Sequence, residues 1–143
     1  MYTIYMKRAR WTSSRTCVYN IFYHLVWSTK YRKSILNGPI TKALTSILDQ
    51  IASENNFTIV QQEIMPDHVH LFASAHPKYA PGAIVKKLKG ISGKRLFLQF
   101  PELRKVYRRH QIWNPSTYYG TAGDMSKSVI EKYIQMQKTK TDD

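Results

Sequence analysis

The sequence is short of several things. It has a single cysteine, Cys17. One thiol forms no internal disulfide and no cysteine-based zinc site within the chain, which fits a reducing cytoplasm. It is poor in acids, with 9 Asp and Glu against 22 Lys and Arg, a net charge of +13. Such an excess points to a polyanionic partner, nucleic acid first and an anionic membrane surface second. No apolar run approaches the ~18 residues of a membrane helix. The start, Met1 to Trp11, lacks the charge-then-apolar order of a secretory signal. There are no repeats and no low-complexity linker, so the 143 residues read as one domain.

What is present is organised around residues 63–72, Glu-Ile-Met-Pro-Asp-His-Val-His-Leu-Phe. His68 and His70 stand two apart in an apolar run. On a strand, side chains at i and i+2 leave the same face, about 6–7 Å apart. Two imidazoles so placed can reach one metal ion. A third ligand and a reactive group must then come from elsewhere.

The surrounding pattern predicts the frame. Residues 17–28 are β-branched and aromatic on both faces, as in a covered central strand. His24 within it reads as a sheet histidine rather than a ligand. Gly38-Pro39 opens a helix over 39–54, with Ile40, Ala43, Leu44, Ile47, Leu48, Ile51 and Ala52 on one stripe. Residues 57–64 and 68–74 predict two strands joined tightly through Met65-Pro66-Asp67, an antiparallel hairpin. Pro81 opens a second helix running to about Phe100, in which Gly90 and Gly93 allow close approach of another backbone. Residues 112–119 predict a strand, with Pro115 marking an edge or bulge. Gly120 and Gly123 form a joint, and Asp124 caps a final helix over 124–138. The order β-α-β-β-α-β then α is that of an α+β, ferredoxin-like antiparallel sandwich with an added C-terminal helix.

The cations cluster. Residues 1–16 form a basic N-terminal arm. Lys30, Arg32 and Lys33 enclose Tyr31, which either pairs charges for phosphates with a ring for stacking, the combination single-stranded nucleic acid requires, or forms a solvated loop. Lys86, Lys87, Lys89 and Lys94 lie on the second helix, as phosphate contacts or as a solvated face. On the last helix Ile130, Tyr133, Ile134 and Gln137 share one face. An amide oxygen is a suitable hard ligand beside two imidazoles, and a phenol is a nucleophile. By spacing alone the same stripe describes core more readily than a site.

Together these motifs resemble the single-tyrosine HUH transposases, small transposases of hairpin-bordered insertion sequences in bacteria and archaea. The resemblance covers about 17–138. It is carried by Tyr23-His-Leu-Val-Trp-Ser-Thr-Lys-Tyr-Arg-Lys33, Met65-Pro-Asp-His-Val-His-Leu71, Leu88-Lys-Gly-Ile-Ser-Gly-Lys-Arg95, Trp113-Asn-Pro-Ser116, and Tyr133 followed four residues later by Gln137. It implies that His68, His70 and Gln137 hold a divalent metal, Mg²⁺ or Mn²⁺, and that Tyr133 is the nucleophile. It further implies a 5′-phosphotyrosine intermediate, a single-stranded DNA partner with hairpin ends, and a homodimer. The partner's terminal helix would then complete each site, with Gly120 and Gly123 as hinge. The place of action would be the cytoplasm, on the nucleoid. Two other readings use the same residues: a domesticated HUH endonuclease acting on hairpin repeats, and a non-catalytic single-stranded nucleic-acid-binding module.

Overall fold

The computed structural model describes residues 12–13, 18–19, 21–109 and 111–121. Its strands are β1 (Thr12–Ser13), β2 (Val18–Tyr19), β3 (Phe22–Ser28), β4 (Thr58–Met65), β5 (His68–Ser74) and β6 (Tyr118–Thr121). Its helices are α1 (Pro39–Glu54), α2 (Pro81–Gln99) and α3 (Leu103–Val106). Strands β3 to β6 make an antiparallel sheet in the order β4-β5-β3-β6. Helices α1 and α2 connect β3 to β4 and β5 to β6, which is the expected ferredoxin-like arrangement. The C-terminal helix expected over 124–138 lies outside the described residues, as do Cys17 and all of the arm at 1–16 except Thr12 and Ser13.

Helix α1 forms where its stripe predicts. Gly38 sits at φ +52°, ψ −123°, a conformation that glycine alone adopts without strain, and Pro39 follows at the first helical position. Leu44, Ile47, Leu48, Ile51 and Ala52 are buried. Asn55 closes the helix, its amide donating to Ile51 O at 2.8 Å. Asn56 turns left-handed at φ +58°, and Phe57 N donates back to Ala52 O. The buried helix stripe meets Leu25, Trp27, Val69, Leu71 and Ala73, one face of the two central strands.

Alternation then assigns the other face. His24, Val26 and Ser28 on β3 stand opposite Phe72, His70 and His68 on β5. Glu63 and Met65 on β4 pair with His70 and His68. This assignment depends on a bulge between Ile59 and Gln61. Ile59 and Ile64 are an odd number of residues apart, yet both pack on the core. Without the extra residue, strict alternation would turn Glu63 toward the helices.

Three expectations move. The apolar run at 17–28 divides: Val18–Tyr19 pairs with Thr12–Ser13, and the main strand begins at Phe22. The strand expected at 112–119 lies at Tyr118–Thr121 instead. Trp113 makes a single bridge with Thr29, its ring is buried, and its indole N–H donates to Ser92 Oγ at 3.1 Å. Burying that indole turns the chain inward before it can run alongside β3. The approach allowed by Gly93 is likewise made by the Trp113 ring, 3.7 Å from where a Cβ would stand.

Candidate metal centre and nucleic-acid surface

The β4–β5 hairpin closes through two residues, Pro66 and Asp67, neither at positive φ. The fixed φ of proline suits the first corner of such a turn. The turn's carbonyl oxygens are occupied from outside: Thr29 N donates to Asp67 O, and Leu36 N donates to Pro66 O, both at 2.9 Å. The segment 29–36 therefore clamps the turn from which the histidine strand starts.

Strand β5 is buried along its whole length. His68 and His70 are 4% and 5% exposed, with ring centroids 4.6 Å apart. The expected same-face pair is present. The carboxylate of Asp67 lies 2.6 Å from His68 Nδ1. With that nitrogen as the donor, Nε2 is left with its lone pair, as a metal-binding imidazole requires. Asp67 is held in turn by Arg32, whose Nε donates to Oδ2 at 3.3 Å and whose Nη2 lies 3.2 Å away. Burial alone would raise the Asp67 pKa; the hydrogen bond and charge of His68, with Arg32, outweigh it and hold the carboxyl below its ordinary value.

His70 differs. Its Nδ1 is buried with no hydrogen-bond partner among the described residues. Its pKa is pushed down to about 4, by burial first and by its neighbours His68 and His24 second. A buried polar atom left without a partner costs about 1–3 kcal/mol, a cost that a cation bound at that nitrogen would remove. The donor set thus fits a divalent metal: one imidazole oriented by a carboxylate and one kept neutral. Among the described residues no cluster of three His, Cys, Asp or Glu side chains is assembled. His24 stacks on Phe72 at 4.7 Å, and burial lowers its pKa to about 4 as well. It remains the sheet histidine that the sequence suggested.

A cleft of about 490 Å³ opens beside the pair, lined by Ser28, Arg32, His68, His70, Thr117 and Tyr118 among others. Its outer wall is set by Lys89. That ammonium donates to Asn114 O at 2.6 Å, Thr117 Oγ1 at 3.1 Å and Ser116 O at 3.4 Å. Lys89, expected among the phosphate contacts, instead ties the 114–117 segment to α2, and burial lowers its pKa. Arg32, expected alongside it, faces Asp67. Lys30 and Lys33 flank the exposed Tyr31 ring at 5.5 and 6.0 Å. Lys87 donates to Asn55 Oδ1. Lys94 lines a larger cleft of about 540 Å³ with Trp113 and Arg104. Among the described residues that cleft holds no histidine or carboxylate, whereas the histidine pair lines the smaller one. Gly120 lies within β6 opposite His24, where the Tyr118 ring covers the position a Cβ would fill, 2.9 Å from its hydroxyl. Tyr133, Gln137 and Gly123 lie outside the described residues. Sequence reasoning missed the roles of Asp67 and Arg32. One signal was available: in a chain with so few acids, one stands directly before a histidine of the pair.

The model of the family "Transposase IS200 like" matches residues 17–137. The ISDra2 transposase TnpA of Deinococcus radiodurans is 40% identical over 126 residues, 88% of this chain and 90% of that protein. The transposase for insertion sequence element IS200 of Salmonella typhimurium is 32% identical over 119 residues, 83% of this chain and 78% of that one. A crystal structure of a D. radiodurans protein assigned as a transposase superposes with a TM-score of 0.73 at 38% identity, covering 88% and 97% of the two chains. A REP-associated tyrosine transposase bound to a REP hairpin shares the fold, with a TM-score of 0.56 at 13% identity over 85% and 67%.

The buried imidazoles generate a pH test. Both His24 and His70 have folded-state pKa values below the ordinary 6.5. The unfolded chain therefore takes up protons first as pH falls. Their contribution to stability is fully present above pH 6.5 and is lost progressively toward pH 4. In metal-free buffer, urea unfolding should show stability falling by on the order of 2 kcal/mol for each of the two rings between pH 7 and pH 4.5. His24→Phe, which keeps the stack on Phe72, should flatten part of that fall. An identical pH profile in the variant would show that His24 does not contribute.

Proposed function

We propose, for a chain that belongs to the IS200-like transposase family and is a transposase acting on single-stranded DNA, that His68 and His70 hold a divalent cation and Tyr133 supplies the nucleophile. The observation that carries this is the histidine pair on a buried central strand, one ring oriented by Asp67 and the other with an orphaned buried nitrogen. Gln137, one helical turn beyond Tyr133, is the third ligand; support for both is the family resemblance and a family match that runs through residue 137.

Bound there, Mg²⁺ or Mn²⁺ supplies Lewis acidity toward a phosphate oxygen. The protein's own part is positioning and nucleophilic attack. His68 and His70 project from a strand fixed on both sides. Asp67 sets which nitrogen of His68 carries the proton, and Arg32 keeps Asp67 ionised and in place. The scissile strand enters the cleft beside Ser28, Thr117 and Tyr118. The Tyr133 oxygen attacks phosphorus in line. The bond from oxygen to phosphorus forms, the bond to the 3′ oxygen breaks, and that oxygen leaves as a 3′-OH with a proton. The product is a 5′-phosphotyrosine, which the 3′-OH of another strand reverses to join new ends. The ester is conserved in the protein link, so no nucleotide cofactor is required. The phenol's ordinary pKa of about 10 leaves on the order of one in a thousand ionised at pH 7, and a divalent cation held by His68 and His70 would favour the anion. The functional unit is a homodimer in which a helix over 124–138, moving about Gly123, completes the partner's site; Gly120, expected to share the hinge, is held in β6 by its pairing with β3. The DNA is single-stranded with hairpin ends, and the setting is the cytoplasmic nucleoid.

Three measurements test these assignments. With labelled hairpin DNA from the chain's own locus and Mn²⁺, a denaturation-resistant protein–DNA band is expected. It should vanish in Tyr133→Phe, and an unchanged band would remove Tyr133 as the nucleophile. Asp67→Ala should weaken Mn²⁺ binding about 10–100-fold, as loss of an orienting partner does, read by calorimetry. Wild-type affinity in that variant would remove Asp67 from the site. Mixing Tyr133→Phe with His68→Ala/His70→Ala protein should restore cleavage if the helix docks on the partner; mixtures that never cut would exclude that arrangement.

A further inference from the structure

The turn after β3 carries an unusual backbone. Tyr31 stands at φ +62° and Arg32 at φ +51°, neither of them glycine. The left-handed region costs an ordinary residue about 1–2 kcal/mol, and such outliers persist only where surrounding contacts hold them. Here they do. Arg32 N donates to Thr29 O, the Thr29 hydroxyl donates to Lys33 O at 2.8 Å, Lys30 N donates to Ile112 O, and the Tyr107 hydroxyl donates to Lys30 O.

The held backbone directs two neighbouring side chains to different places. Arg32 reaches Asp67 beside His68. Tyr31 is turned out to solvent and is 72% exposed, the most exposed of the large hydrophobic side chains described. The Nζ atoms of Lys30 and Lys33 lie 5.5 and 6.0 Å from its ring centre. A cavity of about 250 Å³ adjoins the ring, with Arg108 and Arg109 on its wall. An exposed planar ring among four cations, one residue from the relay that orients His68, is the composition that takes an unpaired base on its face and the flanking phosphates at its edges.

We propose that Tyr31 is the stacking platform for one unpaired base of the single-stranded substrate, with Lys30, Lys33, Arg108 and Arg109 holding the phosphates on either side. The site rests on the single-strand activity proposed above. It sets where the strand lies relative to the histidine pair, and it reads no sequence, because every base has a face to stack.

The test uses the full chain and a fluorescent oligonucleotide with a hairpin from its own locus and a single-stranded extension. Tyr31→Asn keeps a residue that tolerates the left-handed region and removes the ring; binding should weaken about 10-fold. Tyr31→Gly relieves the backbone entirely and should lose the same amount, which separates stacking from folding. Tyr31→Phe should bind as wild type does. A series of single abasic sites along the extension then locates the base. Wild type should lose about 10-fold at one position, and Tyr31→Asn should lose nothing further there while matching wild type elsewhere. The salt dependence should be unchanged in Tyr31→Asn and shallower in Lys33→Gln. Full affinity in Tyr31→Asn, a Phe variant as weak as Asn, or purely additive losses at every abasic position would each overturn the platform while leaving the transposase reading intact. Failure of the wild-type protein to bind and cut the oligonucleotide at all would overturn both.

Discussion

One hydrogen bond, from His68 to the carboxylate of Asp67, organises the candidate site. An imidazole on a strand has a fixed origin but two usable nitrogens and a free ring torsion. The 2.6 Å contact to Asp67 settles both. The carboxylate is itself a hinge unless something holds it, and Arg32 holds it from the opposite side of the hairpin turn. The backbone hydrogen bonds from Thr29 and Leu36 to the turn carbonyls fix the distance between these segments. The geometry at His68 therefore depends on a loop 35 residues earlier in the chain. His70 has no such brace at Nδ1, and that nitrogen is buried without a hydrogen-bond partner among the described residues.

How much of this was legible follows from what each signal measures. Helix α1 and strand β5 fall at 39–54 and 68–74 as their patterns predict, because a complete apolar stripe and a tight hairpin are local signals. The histidine pair is visible for the same reason, since i and i+2 spacing already implies one face. The segment 112–117 was misread because its apolar content suggested a strand. Trp113 and Ile112 are apolar because they are core, and Lys89 and Ser92, some twenty residues earlier, hold the segment there. The β4 bulge was hidden because alternation is read one strand at a time, whereas a bulge is a mismatch between two. Asp67 is adjacent to His68, yet its role depends on a side-chain contact with Arg32 that no spacing rule encodes. Tyr133 and Gln137 rest on motif resemblance and fall outside the described residues.

The charge excess divides into two populations with different consequences. Lys89 and Arg32 are directed at carbonyls and a carboxylate of the protein itself, Lys89 from a half-buried position and Arg32 from an exposed one. Lys30, Lys33, Arg108 and Arg109 surround Tyr31 at the surface. Net charge counts both alike. It predicts a polyanionic partner but overstates how many cations are available to bind it. Salt dependence reports only the second population, because only those cations displace counterions from DNA.

The turn at 29–33 links the two populations and explains why its backbone strain is retained. If the segment served only to reverse the chain, glycine at positions 31 and 32 would do so without the left-handed penalty. Glycine would remove both side chains, and with them the brace on Asp67 and the exposed ring. The hydrogen bonds of Thr29, Lys30 and Tyr107 instead hold two full side chains in the costly region. That arrangement is worth keeping only if both side chains act from where they are placed. Because they share one rigid turn, a strand seated on Tyr31 has a fixed register with the histidine that Arg32 helps to orient.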